Sequence, residues 1–125
     1  MRGVRPLLLA AIAALALAVA AFAGGDADVV GTWNLQFDEE GTTVRPTLTL
    51  QDQSGKLVGQ WQGPRGTAPL TDPKYDGGVL SFSIVEHAIF RNVTVQFSAR
   101  VTDGKLAGTL KAPRGETPVT GVRVP

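Results

Sequence analysis

The side chains that could support catalysis are few in this sequence. His87 is the single histidine, and the chain contains no cysteine. A nucleophile and general base would have to combine His87 with Ser81 or Ser83, and no Gly-x-Ser-x-Gly motif surrounds either serine. Glu86 and His87 could bind a metal, but a closed site needs about four ligands, and the acidic residues at 38–40 have no recognisable ligand spacing. The sequence therefore predicts no enzyme activity, no metal and no cofactor; a weak hydrolase that uses His87 is the alternative.

Two arginines at matching positions could support binding instead. The segment 55–71 recurs at 104–120, 49 residues later, with the same spacing of Gly-Lys-Leu-x-Gly and Pro-Arg-Gly. Arg65 and Arg114 occupy equivalent positions and could together hold an anionic ligand or the carboxylates of a partner protein. Alternatively, proline and glycine set the backbone of a turn and the arginine is merely solvated.

Alternation of apolar and polar residues predicts the elements that position these side chains. After Val29 the alternation is of strand type, with no window of helical period, which predicts an all-β domain. The repeat predicts a duplicated unit of four strands, over about 29–78 and 79–125. Eight antiparallel strands with short connections most economically close into an up-and-down barrel. A two-sheet sandwich is the alternative, but no connection resembles a Greek-key crossover.

The two ends of such a barrel differ in their turns. Short turns with glycine gather at one end, which we call the base, at 54–55, 76–78 and 103–104. Longer connections gather at the other end, which we call the mouth, at 38–43, 63–67, 86–92 and 112–116. Arg65, Arg114 and His87 therefore belong to the mouth, which is the candidate binding end.

Trp61 and Phe37 are the candidates for an apolar wall below the mouth. Trp61 lies on a strand that runs toward the mouth, and Phe37 lies near the mouth end of the first strand. The repeat mate of Trp61 is Leu110, so an aliphatic residue satisfies the packing at that layer. Alternatively both aromatic residues fill the upper core, because an eight-stranded barrel is only just wide enough for side chains or one small ligand.

The first 23 residues are predicted to be a signal-peptide helix. Two arginines precede an unbroken apolar run over 7–21, and Ala21-Phe22-Ala23 has the form of a cleavage site. An uncleaved anchor helix is the alternative. Cleavage leaves one domain, 24–125, with ten basic and eleven acidic residues. The signal peptide predicts an exported protein, periplasmic or extracellular. The balanced charge of the remaining domain predicts no nucleic-acid partner and no membrane attachment after cleavage.

The predicted barrel makes its first and last strands neighbours, which brings Arg123 close to Trp33. A guanidinium over an indole would close the base and contribute roughly 0.5–2 kcal/mol. Gly31-Thr32-Trp33 together with Arg123 resembles the signature of the lipocalin and avidin-like barrels, and this resemblance implies binding of small apolar ligands at the open end. The Gly-Lys-Leu-x-Gly pieces and Leu80-Ser81-Phe82-Ser83 are similar to small barrel domains of exported bacterial proteins, which have no assigned activity.

These observations predict a non-catalytic exported barrel that binds a small apolar ligand or a protein partner at its mouth. The predicted ligand-binding residues are Trp61, Phe37, Arg65, Arg114 and His87. Trp33 and Arg123 are predicted to be a structural pair at the base. The alternative is a protein-interaction module such as a periplasmic protease inhibitor, because small metalloprotease inhibitors are similar in length and also begin a barrel with Gly-x-Trp. Residues 24–29 would then be a flexible trunk that enters the enzyme.

Overall fold

A computed structural model of the protein describes residues 26–87 and 90–125. The predicted signal peptide, residues 1–23, lies outside the described residues. Within them, no helix is long and apolar enough to span a bilayer. The first described element is one turn of 3-10 helix, Asp26–Asp28.

Ten strand segments follow, and they confirm the all-β prediction. They are β1 (Gly31–Glu39), β2 (Thr42–Val44), β3 (Thr47–Gln53), β4 (Lys56–Gly63), β5 (Gly66–Pro69), β6 (Thr71–Asp76), β7 (Val79–His87), β8 (Asn92–Thr102), β9 (Lys105–Ala112) and β10 (Gly115–Arg123). Buried and exposed residues alternate along the longer strands, for example around Trp33 in β1 and Phe97 in β8. Successive side chains of a strand point to opposite faces, so one face of each strand meets the core.

The strands form one antiparallel sheet that curls into a nearly closed barrel. Its order is β5-β4-β3-β1-β10-β9-β8-β7-β6, and the short β2 pairs with the mouth end of β1. The first and last long strands pair, with Trp33 opposite Arg123. This pairing is the closure that the barrel prediction required.

The structure has ten strand segments where the sequence predicted eight strands. The predicted second strand is interrupted at Arg45 and Pro46, between β2 and β3, since proline has no N–H to donate to the ladder. The predicted fourth strand is interrupted at Leu70, between β5 and β6, with Pro69 and Pro73 on either side. The irregularity expected for that strand is therefore a break, and the count of eight is not confirmed.

The break at Leu70 leaves a gap in the mouth half of the barrel wall. β5 pairs with β4, whereas β6 pairs with the base half of β7, from Val79 to Ser83. The N–H of Leu70 still donates to the carbonyl of Gly59 on β4, at 3.0 Å, before the chain passes to β7. β5 and the mouth half of β7, residues 84–87, have no backbone ladder between them in the described chain. We call this gap the β5–β7 seam.

Two hairpins of the barrel have the same register. In the β3–β4 hairpin Leu48 lies opposite Trp61, and in the β8–β9 hairpin Phe97 lies opposite Leu110. Both partners of the second pair come 49 residues after those of the first. The two hairpins thus present a Leu–Trp pair and a Phe–Leu pair at corresponding places in the barrel wall.

Aromatic side chains fill the middle of the barrel and extend toward the mouth. The rings of Phe82 and Phe97 stack, with their centroids 4.4 Å apart. The Trp61 ring lies 6.2 Å from that of Phe82 and 6.4 Å from that of Phe97, and the Phe37 ring lies 6.4 Å from that of Trp61. Trp61 is therefore the link between the central pair and the residue nearest the mouth.

Candidate functional site

The base is closed by hydrogen bonds to backbone carbonyl groups. Trp33 is fully buried, and its Nε1–H donates to the carbonyl of Val29 at 2.9 Å. The Arg123 guanidinium donates to three carbonyl groups within residues 27–30. These bonds hold the segment before β1 across the end of the barrel. Stacking of the guanidinium on the indole stays a prediction.

The segment considered as an inhibitor trunk, 24–29, is described from Asp26 onward. This part packs on the base: Val29 is fully buried, and its N–H donates to the carbonyl of Asp26 at 3.0 Å. Burial of the phenol and, to a smaller extent, the negative charge of Asp28 raise the pKa of Tyr75.

The mouth contains a cavity of about 450 Å³ above the aromatic cluster. Trp61, only 4% exposed, and Phe37 line its lower part. The other apolar lining residues are Val93, Val95, Leu110 and Ala112. The charged lining residues are Asp38, Glu39, Glu40, Glu86, Glu116, Arg65, Arg91 and Arg114. The structure therefore brings four of the five predicted ligand-binding residues, Trp61, Phe37, Arg65 and Arg114, to one cavity.

Arg65 reaches from the β4–β5 turn to carboxylates on two other strands. Its Nη1 lies 3.2 Å from Oε2 of Glu86 on β7, and its Nη2 lies 3.8 Å from Oε1 of Glu39 on β1. The guanidinium charge is thus compensated by two carboxylates. A joint hold of Arg65 and Arg114 on an anion stays a prediction, and Arg65 has anionic partners of its own.

Arg114 has a different environment, although it holds the equivalent place in the repeat. Within the described chain, no carboxylate oxygen lies within 4.0 Å of its guanidinium. Among the described residues, five carboxylates and three guanidinium groups line the cavity. The mouth therefore has an excess of negative charge, which favours a neutral or cationic group over an anion.

His87 lies beside a second, smaller cavity of about 60 Å³ between β5 and the mouth half of β7. Its Nδ1 donates to Oδ1 of Asn92, the residue opposite it in β8, at 2.7 Å. Ser83 precedes His87 by four residues on the same strand, a separation of about 13 Å, and Ser81 is farther still. Proton transfer requires hydrogen-bond distance, so neither serine can pair with His87.

Among the described residues, no three His, Cys, Asp or Glu side chains are grouped to hold a metal.

A larger concavity, of about 980 Å³, lies on the outer face of the barrel across β1, β10, β9 and β8. It includes outward polar residues such as Asn34 and Thr120, with Arg45, Arg100 and Lys105 as its charged members. It is a broad surface groove, and none of the residues that the sequence analysis selected lines it. The mouth cavity of about 450 Å³ is the stronger candidate, because it combines an aromatic floor with an enclosing rim.

Sequence reasoning did not assign Glu39 and Glu86 as partners of Arg65. The predicted topology places all three residues at the mouth, and this shared location is the signal in the sequence that could have indicated their contact. Which carboxylates meet which guanidinium depends on the width of the barrel and on the break at Leu70. Neither follows from the alternation of residues along the chain.

Comparison with known proteins gives a fold but no family. The sequence matches no known family model and no curated protein. Two solved structures are similar: a redesigned β-barrel, mFAP1, bound to DFHBI, with a TM-score of 0.57 and 14% identity, and apo lipid binding protein 8 (LBP-8) of Caenorhabditis elegans, with a TM-score of 0.50 and 12% identity. Each alignment covers 78% of this chain and 96% of the other. These similarities support a lipocalin-like barrel fold.

Proposed function

We propose that the protein binds a small apolar ligand in the mouth cavity, with a neutral or cationic group of the ligand at the rim. The observation that carries this proposal is the cavity of about 450 Å³ directly above Trp61 and Phe37. Its volume lies within the range of about 300–1,000 Å³ that is usual for small-molecule sites. Of the two similar structures, one is a redesigned β-barrel bound to DFHBI and the other is named a lipid binding protein, which agrees with such a role.

The charge of the rim supports the choice of ligand class. Arg65 is engaged by Glu39 and Glu86, so Arg91 and Arg114 are the remaining cations of the lining. Asp38, Glu40 and Glu116 are its remaining carboxylates. An anionic ligand would meet this negative excess, whereas a cation would be attracted by it and could also lie against the Trp61 ring.

The test is a titration with three probes that share the 1-naphthylmethyl group and differ in charge: 1-naphthylmethylamine, 1-naphthalenemethanol and 1-naphthaleneacetate. Binding is followed by the tryptophan fluorescence of the protein at low ionic strength. We expect the amine to bind most tightly and the acetate about tenfold or more weakly, as Coulomb attraction in a water-like dielectric suggests. No fluorescence response to any of the three probes would exclude the mouth as an apolar site.

Two variants identify the site in the same titration. Trp61→Leu places at this position the residue that stands at 110, and it should abolish most of the fluorescence response while keeping the fold. Arg114→Gln removes a cation from the rim and should increase the preference for the amine. A response that survives Trp61→Leu unchanged would place the probe elsewhere, for example in the outer groove.

We also propose that the protein is exported and not catalytic. Residues 1–23 have the pattern of a cleaved signal peptide, which leaves 24–125 as the domain in the periplasm or outside the cell. The separation of His87 from Ser81 and Ser83 supports the absence of hydrolase activity. The mass of the protein purified from its host tests the cleavage, and equal turnover of ester substrates by the protein and by His87→Ala tests the base.

We further propose that the barrel is a duplicated four-stranded unit, so that its ten segments correspond to two repeats. The shared register of the β3–β4 and β8–β9 hairpins supports this. A Cβ atom at Gly59 would lie 2.2 Å from the carbonyl oxygen of Thr49, and a Cβ at Gly108 would lie 2.0 Å from that of Ser98. Each residue of the second contact follows its counterpart by 49 positions, so the two strands pass equally close at corresponding places.

The protein-interaction alternative has less support than the ligand site. Its trunk would have to extend away from the barrel, whereas Val29 is buried at the base and Arg123 donates to the carbonyl groups of Ala27 and Asp28. Deletion of 24–28 distinguishes the two functions. An inhibitor of the trunk type should lose its activity, but a mouth binder should keep its affinity for the probes.

A further inference from the structure

We propose that the β5–β7 seam is the route by which a ligand reaches Trp61, and that the Arg65–Glu86 ion pair is the latch that closes it. This inference rests on the proposed function of the mouth cavity. It gives Arg65 a role in controlling the access of the ligand to Trp61, whereas the repeat predicted a role in anion binding.

The seam is the part of the barrel wall that can open with the least loss of bonding. The strand pairs on either side of the seam have ladders of their own, with four residue pairs in β4–β5 and nine in β7–β8. Across the seam the described chain has no such ladder, and the cavity of about 60 Å³ already lies between its two sides. Opening the wall elsewhere would break a row of backbone hydrogen bonds, whereas opening the seam separates side chains only.

The latch spans this seam. Arg65 belongs to the turn that leads into β5, and Glu86 belongs to β7, so their contact of 3.2 Å joins the two sides. The Arg65 side chain is 61% exposed and that of Glu86 is 28% exposed. An ion pair with this exposure is weak and is screened by salt, which suits a contact that must open and close.

Displacement of Arg65 would also connect the two cavities of the mouth. Five of the described residues line both of these cavities: Phe37, Glu39, Trp61, Arg65 and Glu86. Phe37 and Trp61 form the floor of this shared boundary, and the ion pairs of Arg65 stand above them. When the latch opens, a ligand entering through the seam would arrive at the Trp61 ring.

The first experiment needs no ligand: quenching of tryptophan fluorescence by the neutral quencher acrylamide. Trp33 is fully buried, so quenching reports mainly on Trp61, and a Trp61→Phe variant gives the Trp33 background. Glu86→Gln keeps the volume of the side chain and removes its charge, and Arg65→Met removes the other partner. We expect each to raise the quenching constant about twofold at low salt, as 0.5 M NaCl should do for the unmodified protein.

Matched controls separate the latch from a general change of surface charge. Arg100→Met and Asp103→Asn alter the same kinds of residue outside both mouth cavities, and both should retain the quenching and the salt response of the unmodified protein. Arg65→Lys keeps the charge and should retain most of the salt response. Circular dichroism establishes that each variant is folded.

The second experiment measures the rate at which 1-naphthalenemethanol binds, by stopped flow. Glu86→Gln should increase the association rate several-fold, with a smaller change in the dissociation constant. Unchanged quenching and rates in both latch variants, or equal changes in the controls, would overturn the latch while the probe still binds. If the probe does not bind the unmodified protein, the proposed function fails and the ligand route fails with it.

Discussion

The base and the mouth are two ends of one barrel, yet they are closed by different kinds of contact. At the base, Trp33 and Arg123 donate to carbonyl groups of residues 27–30. At the mouth, Arg65 meets two carboxylates, and its side chain remains 61% exposed. The acceptors at the base belong to the backbone and include a fully buried contact, whereas the acceptors at the mouth are side chains near water.

This difference separates stability from function along the barrel axis. A buried hydrogen bond to a backbone carbonyl is costly to break, because the acceptor would be left without a partner. An exposed ion pair contributes about 0–1 kcal/mol and can exchange its partners for water and salt. The base therefore fixes the ends of β1 and β10, while the mouth can change without unfolding the barrel.

The two tryptophans give the largest expected contrast between the ends. Trp33→Leu should lower the free energy of unfolding by about 3 kcal/mol, because it removes buried ring volume and leaves the carbonyl of Val29 without its donor. Trp61→Leu should cost only about 1 kcal/mol, because it opens toward an existing cavity. Urea denaturation of both variants, followed by circular dichroism, measures the difference. Equal losses would show that the two ends contribute alike to stability.

The two arginines give a smaller contrast of the same kind. Arg123→Met should lower the free energy of unfolding by about 1–2 kcal/mol, since three carbonyl groups lose a charged donor. Arg65→Met should change it by less than about 1 kcal/mol, as is usual for exposed ion pairs. Urea denaturation in low and high salt provides the measurement. A larger loss for Arg65→Met than for Arg123→Met would reverse the assignment of the structural and the adjustable end.

Much of this contrast could be predicted from the sequence. Alternation places the inward residues, since it has the period of a strand, and the inward positions of β1, β3, β4, β7, β8 and β9 are largely buried as expected. The pairing of Trp33 with Arg123 follows from closing a chain of neighbouring strands. Successive turns of an up-and-down barrel lie at opposite ends, and this alternation assigns Arg65, Arg114 and His87 to the mouth.

The remaining features depend on distances across the barrel, which the order of residues does not determine. The partners of Arg123 are carbonyl groups, so no residue type marks them in the sequence. The repeat implied that Arg65 and Arg114 are equivalent, but the break at Leu70 is absent from the second half, where β10 is continuous. Arg65 consequently lies beside the seam and Arg114 beside an intact ladder with β9.

The ionisation of Tyr75 gives the smallest expected effect and tests how the segment before β1 sits on the base. Its pKa is raised by burial and by Asp28, so folding favours the neutral phenol. The contribution to stability is therefore complete below the unfolded pKa of about 10 and is lost as the pH rises through the higher folded value. Tyr75 is the only tyrosine in the chain, so absorbance near 295 nm follows this group alone.

Two variants test this prediction. Asp28→Asn should lower the pKa of Tyr75 slightly, and Tyr75→Phe should remove this part of the loss of stability at high pH. An unchanged titration in Asp28→Asn would mean that the segment is not held against β6, and the base would then be less firmly closed than its hydrogen bonds to Trp33 and Arg123 imply.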